Sequence, residues 1–236
     1  MTFIKTSSLG FAFLLTGLSW LTAASAQQRT PLTRNFKAYR KIVAAHPDQK
    51  MVELKKVAPT LQYNLKYAGR DNFMHRSMYP RKTHYTFMRA PAATALKAVQ
   101  KELKTKGLGL LIYDAYRPYA VTKKFWRLVK DERYVARPSK GSNHNRGTAV
   151  DLTLIELQTG KPLQMGTDFD NFTDTAHHRF TALPPKMKAN RHLLKSVMDK
   201  HGFAALDTEW WHYTYRGLQS PNLLDISLRQ LWRRQF

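Results

Sequence analysis

The sequence predicts an α+β fold: a single compact domain whose antiparallel or mixed sheet is flanked by helices. Three observations carry this expectation. Some segments alternate apolar and polar residues with a period of two, and others repeat apolar residues every three and four positions. The two kinds follow one another without a regular βαβ rhythm. No internal repeat, low-complexity tract or linker rich in Gly, Ser or Pro divides the 236 residues.

The elements can be justified in order. "LQYNLKY" (61–67) places Leu61, Tyr63, Leu65 and Tyr67 on one side and Gln62, Asn64 and Lys66 on the other, which predicts a strand with one wet face. "PAATALKAVQKELKTKG" (91–107) has Leu96, Val99 and Leu103 at helical spacing, Pro91 near its start and Gly107 at its end. A short apolar strand, Leu110 to Tyr113, follows and is stopped by Pro118. "YAVTKKFWRLVKDE" reads as an amphipathic helix with Val121, Phe125, Leu128 and Val129 turned inward. After a loop, residues 149–154 read as a half-buried strand in which Val150, Leu152 and Leu154 alternate with Ala149, Asp151 and Thr153. "NRHLLKSVMDKHG" predicts a long helix with Leu194, Val197, Met198 and His201 on one side and Gly202 as its cap. The aromatic run "EWWHYTY" (209–215) predicts a last strand.

Ahead of these lies a different kind of segment. Lys5, an apolar run from Leu9 to Leu21 and Ala24-Ser25-Ala26 have the order of a secretory signal peptide, residues 1–26, cut after Ala26. The apolar run is too short to span a bilayer comfortably. The mature domain, residues 27–236, is then expected to be exported, to the periplasm. The chain has no cysteine, which excludes disulfides and a lipoprotein anchor, so burial and a metal are left to stabilise it. Lys and Arg number 39 against 16 Asp and Glu, a formal charge of +23. Such a chain is drawn to polyanions, which for an exported protein means electrostatic association with an anionic cell wall or membrane surface. A solvated basic surface with no specific partner is an equal reading. The cations are spread out with no nucleic-acid module around them, which argues against nucleic acid. Oligomeric state is not legible.

Asp151 poses the chemical question, because a carboxylate within a strand is costly to bury unless a cation or donors meet it. His144 lies seven residues earlier in the Gly/Asn-rich "GSNHNRG", and "EWWH" supplies Glu209 and His212. Two imidazoles and a carboxylate suit zinc, with a fourth position for water, and Glu209 is left over as a base for that water. One difficulty stands out: strand residues three apart point to opposite faces. Glu209 and His212 can face one metal only if Glu209 precedes the regular strand or a bulge intervenes. His177 and His178 are adjacent, but nothing nearby completes a ligand set, and they are read as structural.

Together, "S-x-H-x-x-G-x-A-x-D" (Ser142 to Asp151) and "EWWH" (209–212) resemble the zinc D-alanyl-D-alanine dipeptidases of the VanX type. "KYAGRDNF" (66–73), "YDAYRP" (113–118) and "MGTDFD" (165–170) extend the resemblance, so that five ordered motifs span residues 61–215. The resemblance implies the zinc D-Ala-D-Ala peptidase, hedgehog-like fold, with one Zn2+ per chain held by His144, Asp151 and His212. It implies Glu209 as general base and Arg117 as stabiliser of the tetrahedral oxyanion. It places Asp170, Tyr67 and Ser142 on the termini of a small dipeptide substrate, with Asp170 suited to the ammonium. It departs from the family at Gly69, at Met74-His75 and at Gln164, all beside the expected substrate pocket. The implied reaction is hydrolysis of D-Ala-D-Ala to free D-alanine. The alternatives are a zinc D,D-carboxypeptidase trimming D-Ala from peptidoglycan peptides, and a catalytically silent wall-binding protein.

Overall fold

A computed structural model describes residues 1, 2, 31–219 and 221–234. The expected leader, including its cleavage after Ala26, lies outside the described residues apart from Met1 and Thr2. Among those described, no helix is long and apolar enough to cross a membrane.

The chain runs β1 (Leu32–Thr33), α1 (Phe36–Ala45), β2 (Met51–Glu53), α2 (Leu54–Val57), β3 (Gln62–Tyr63), β4 (Phe87–Arg89), α3 (Ala90–Lys104) and β5 (Leu108–Asp114). It continues with α4 (Tyr119–Leu128), α5 (Asn143–Arg146), β6 (Ala149–Glu156), α6 (Pro185–Lys200), β7 (Phe203–Leu206), β8 (Glu209–Tyr215), β9 (Leu223–Leu224) and α7 (Leu228–Arg233). The main sheet has the order β3-β5-β6-β8-β7. β3 joins β5 in parallel and every other pair is antiparallel, so the sheet is mixed. This is the α+β architecture expected from the pattern.

Helices α3 and α6 cover one face of that sheet. Leu96, Val99 and Leu103 of α3 and Leu194, Val197 and Met198 of α6 share a buried cluster with Leu110, Ile112, Val150, Leu152 and Leu154. The alternate residues of β6, Asp151 and Thr153, point to the opposite face. That face is also covered: every residue of β6 from Ala149 to Ile155 is buried. The half-buried strand expected over 149–154 is therefore a fully buried central strand, and Asp151 sits on the side that carries chemistry.

Three other expectations are corrected. Only Gln62–Tyr63 of the 61–67 segment is strand. Pairing with β5 stops there, and Lys66–Ala68 tightens into a 3-10 turn that buries Tyr67. The alternation was real as burial, since Leu61, Leu65 and Tyr67 are all inside, but not as a ladder. Helix α4 ends at Leu128, which is 60% exposed and not inward: the helix outruns the core that covers Val121 and Phe125. His144 lies on a one-turn helix, α5, and not in an irregular loop.

Candidate active site

Two bulges aim the central strands. Between Ile112 and Asp114, β5 uses two residues against one of β6, so Asp114 and not Tyr113 pairs with Asp151. The extra residue turns Asp114 to the face that Asp151 occupies. Along β8, Ala205 pairs with Tyr213 but Leu206 pairs with Glu209. That irregularity removes the conflict between Glu209 and His212: the strand begins at Glu209, and the bulge brings both side chains to one side.

His212 is the direct cross-strand partner of Asp151. His212 Nδ1 lies 2.9 Å from Asp151 Oδ1 and 3.1 Å from His144 Nε2. His144 Nε2 lies 3.3 Å from Asp151 Oδ2. The two nitrogens and the two oxygens of the Asp151 carboxylate thus converge, and one ligand atom from each of the three side chains lies within 4.8 Å of the others. Ligands at about 2.0–2.1 Å around a tetrahedral ion stand about 3.3 Å apart, so the donor set and its spacing fit zinc. His144 Nδ1–H donates to the carbonyl of Ala115 at 2.7 Å, which leaves the Nε2 lone pair for an ion. Burial works to raise the Asp151 carboxyl, and the imidazoles of His144 and His212 more than reverse it, holding it well below the usual carboxylate range.

Helix α5 sets His144 in place. Ser142 is its N-cap: the hydroxyl accepts from His144 N at 3.2 Å, and Asn145 Oδ1 accepts from Ser142 N at 3.0 Å in return. Gly147 ends the helix with φ +73°, a left-handed turn that glycine adopts without strain. An added Cβ there would also meet the Cε and Sδ of Met51 at 2.7 Å. Gly147→Ala is therefore expected to cost about 1–3 kcal/mol in urea unfolding and to weaken metal binding, read by competition with a chelator.

Around the triangle lies a cavity of about 210 Å³, lined by Glu209, Arg117, Tyr67, Asp170, Phe73 and Trp211 among others. Glu209 is buried, and its Oε2 is 3.7 Å from His212 Nδ1. Burial, then the charges of Asp151 and Asp170, push its carboxyl well above the ordinary glutamate value. A divalent cation acts in the opposite sense. Arg117 is buried with its Nε donating to Asp114 Oδ2 at 2.9 Å and an Nη2 contact to Asp151 Oδ2 at 3.4 Å. Its guanidinium packs over the rings of Phe125 and Tyr67, 4.7 and 5.1 Å from their centroids.

Asp170 also lines the cavity, with φ +60°. Tyr67 OH donates to its Oδ1 at 2.9 Å, and the amide of Phe73 reaches Oδ2 at 3.5 Å. Burial lifts this carboxyl to about 7, the Tyr67 bond opposing the shift. All eight side chains singled out in the sequence thus line one cavity. Ser142 lines it too, with its hydroxyl engaged in capping α5.

Sequence reasoning missed Asp114. It is fully buried, accepts from both Arg117 and Tyr79 OH (2.6 Å), and so fixes the guanidinium from behind. A strand reading that ended at Tyr113 excluded it. A carboxylate three residues before an arginine, across a strand end, was the available clue.

A family model described as peptidase M15, D-Ala-D-Ala dipeptidase, matches residues 47–225. The D-alanyl-D-alanine dipeptidase of Escherichia coli K12 is 37% identical over 163 residues, 69% of this chain and 83% of that protein. The dipeptidase of Enterococcus faecium is 32% identical over 187 residues, 72% of this chain and 93% of its own length. That of Streptomyces coelicolor is 33% identical over 180 residues, 69% and 89%. Among solved structures, VanYB in complex with D-Ala-D-Ala aligns with a TM-score of 0.39 at 14% identity, covering 58% of this chain and 76% of that one.

Proposed function

The chain belongs to the D-Ala-D-Ala dipeptidase family of M15 peptidases, and on that premise we propose that it hydrolyses the D-Ala-D-Ala dipeptide to two molecules of D-alanine as a zinc enzyme. The observation that carries the reading is the convergence in one cavity of a His-Asp-His triangle, a buried glutamate, a buried arginine and a half-buried aspartate.

His144 Nε2, Asp151 and His212 Nδ1 would hold one Zn2+. The ion would polarise the scissile carbonyl and lower the pKa of a water to about 7. Glu209 takes the proton from the attacking water and delivers it to the leaving amine. Arg117 offers its guanidinium to the oxygen on which negative charge develops, in a site walled from solvent by Phe125 and Tyr67. Asp114 keeps that guanidinium aimed. Asp170, oriented by Tyr67, takes the substrate ammonium. A carboxylate lining so small a cavity favours a free amino terminus over an acylated one.

The test is release of D-alanine from D-Ala-D-Ala and from an N-acylated tripeptide ending in D-Ala-D-Ala, each with and without a chelator. Cleavage of the dipeptide alone, abolished by the chelator and restored by zinc, is the expected result. A zinc-loaded protein that leaves the dipeptide intact overturns the reading, and efficient cleavage of the tripeptide reassigns it to a carboxypeptidase. Export to the periplasm is part of the same proposal and rests on the leader sequence alone.

Asp170→Asn isolates the ammonium contact, because asparagine tolerates the left-handed backbone that the position requires. It is expected to raise KM for the dipeptide about 10–100-fold with a smaller change in kcat. It also has a stability signature in the chelated protein. The folded pKa of about 7 lies above an unfolded value of about 3.9, so this carboxyl's contribution is full below about 4 and is lost as pH rises through 7. Urea unfolding at pH 5 and pH 7.5 should show a smaller loss in Asp170→Asn than in the wild type.

A further inference from the structure

On another part of the molecule, helix α6 carries a second unusual arrangement. Lys188, Arg191, His192 and Lys195 stand at positions i, i+3, i+4 and i+7, which is one stripe of a helix. They line a groove of about 240 Å³ whose other wall is His178, Phe180, Thr181 and Leu183. No carboxylate lines it. Lys188, His192 and Lys195 are exposed, and none of the four makes an ion pair among the described residues.

The groove's inner side is built as well as charged. Arg191 is 5% exposed, and its guanidinium donates only to the carbonyls of Met165, His177 and Thr175. Three carbonyls take one hydrogen from each of its three nitrogens but leave its positive charge uncancelled. His178 Nε2 is shut off from solvent with no hydrogen-bond partner among the described residues. Tyr213 packs its ring edge-on to His178 at 6.1 Å, and its hydroxyl is also buried without a partner. Buried polar groups are rarely left so. Burial, then the charges of Lys195 and Arg191, lower the His178 imidazole to about 4 against the opposing charge of Asp207, as expected of a ring set among cations.

Seven residues of helix place Lys188 and Lys195 about 10 Å apart, a span longer than one phosphate. We infer that the α6 groove is an anion-binding site for a chain of phosphodiesters, whose successive phosphates lie along Lys188, His192 and Lys195 against the wall that His178, Phe180, Thr181 and Leu183 form. A groove between a helix and a loop admits a polymer strand and excludes a flat bilayer. The site is independent of the dipeptidase reading and gives the chain's excess of positive charge a specific place of contact.

The test titrates the full zinc-loaded protein with a soluble glycerol-phosphate oligomer at about 0.15 M salt, following the imidazole resonances of His178 by NMR. Inorganic phosphate and phosphatidylglycerol vesicles serve as parallel arms. The oligomer should shift His178 saturably and bind more tightly than inorganic phosphate. Lys188→Ala/Lys195→Ala should weaken it about tenfold or more. Lys37→Ala/Lys41→Ala, which removes the same charge from α1, should change it less than about twofold. Dipeptide hydrolysis by both variants should remain at the wild-type level, reporting an intact fold. Equal weakening by the two pairs would assign the attraction to net charge and overturn the inference. Inorganic phosphate binding as tightly as the oligomer, or binding confined to the vesicles, would overturn it as well.

Discussion

Glu209→Gln is expected to lower kcat for D-Ala-D-Ala about 10²–10⁴-fold while the protein still binds one zinc per chain. The amide keeps the shape of the carboxyl and removes only its capacity to carry a proton. Glu209 contacts His212 Nδ1 at 3.7 Å and lies outside the triangle of closest donor atoms, so the metal should stay. In the chelated protein burial and the charges of Asp151 and Asp170 favour the neutral form of this carboxyl, and a neutral amide should leave the fold undisturbed. Metal content by elemental analysis, a thermal melt and the rate of D-alanine release together decide the matter. Activity within tenfold of wild type at full metal content would remove Glu209 from the reaction.

Arg117→Met should have the second-largest effect, and it should be felt twice. The rate is expected to fall about 10²–10³-fold from loss of a preorganised donor to the oxyanion. Stability is expected to fall by about 3–5 kcal/mol, because Asp114 is fully buried and keeps only Tyr79 OH as a close donor. Arg117→Lys separates the two losses. An ammonium can still neutralise Asp114, but it has no planar fork to serve Asp114 and a substrate oxygen at once. The lysine variant should therefore melt close to wild type and remain slow. A lysine variant with wild-type kcat would mean that Arg117 is structural.

What the sequence made legible and what it hid have separable physical causes. Helices α3 and α6 were visible because their apolar stripes face a sheet, and the period of burial was the period of the helix. The ligands were visible because His144, Asp151 and His212 have few reasons to sit among apolar and small residues except a shared cation. The 61–67 segment misled because alternating burial does not require pairing, and a 3-10 turn can bury Tyr67 as well as a strand can. Asp114 was hidden by a bulge. Side-chain parity counted along β5 gives the wrong face after the extra residue, and nothing local in "IYDAY" marks it. Glu209 posed the same problem in a form the sequence could state, since its conflict with His212 demanded an irregularity that β8 supplies. His178 was read as structural, and only the groove around it revealed its unpartnered nitrogen.

The cross-strand pairing of Asp151 with His212 has a thermodynamic consequence. Two of the three donors reach each other only after the centre of the sheet has zipped in the correct alignment, and no shorter piece of chain can present them. An ion therefore meets a finished scaffold and reinforces it outright. Unfolding should accordingly be all-or-none with ion loss, and the melting temperature should climb with the logarithm of free zinc.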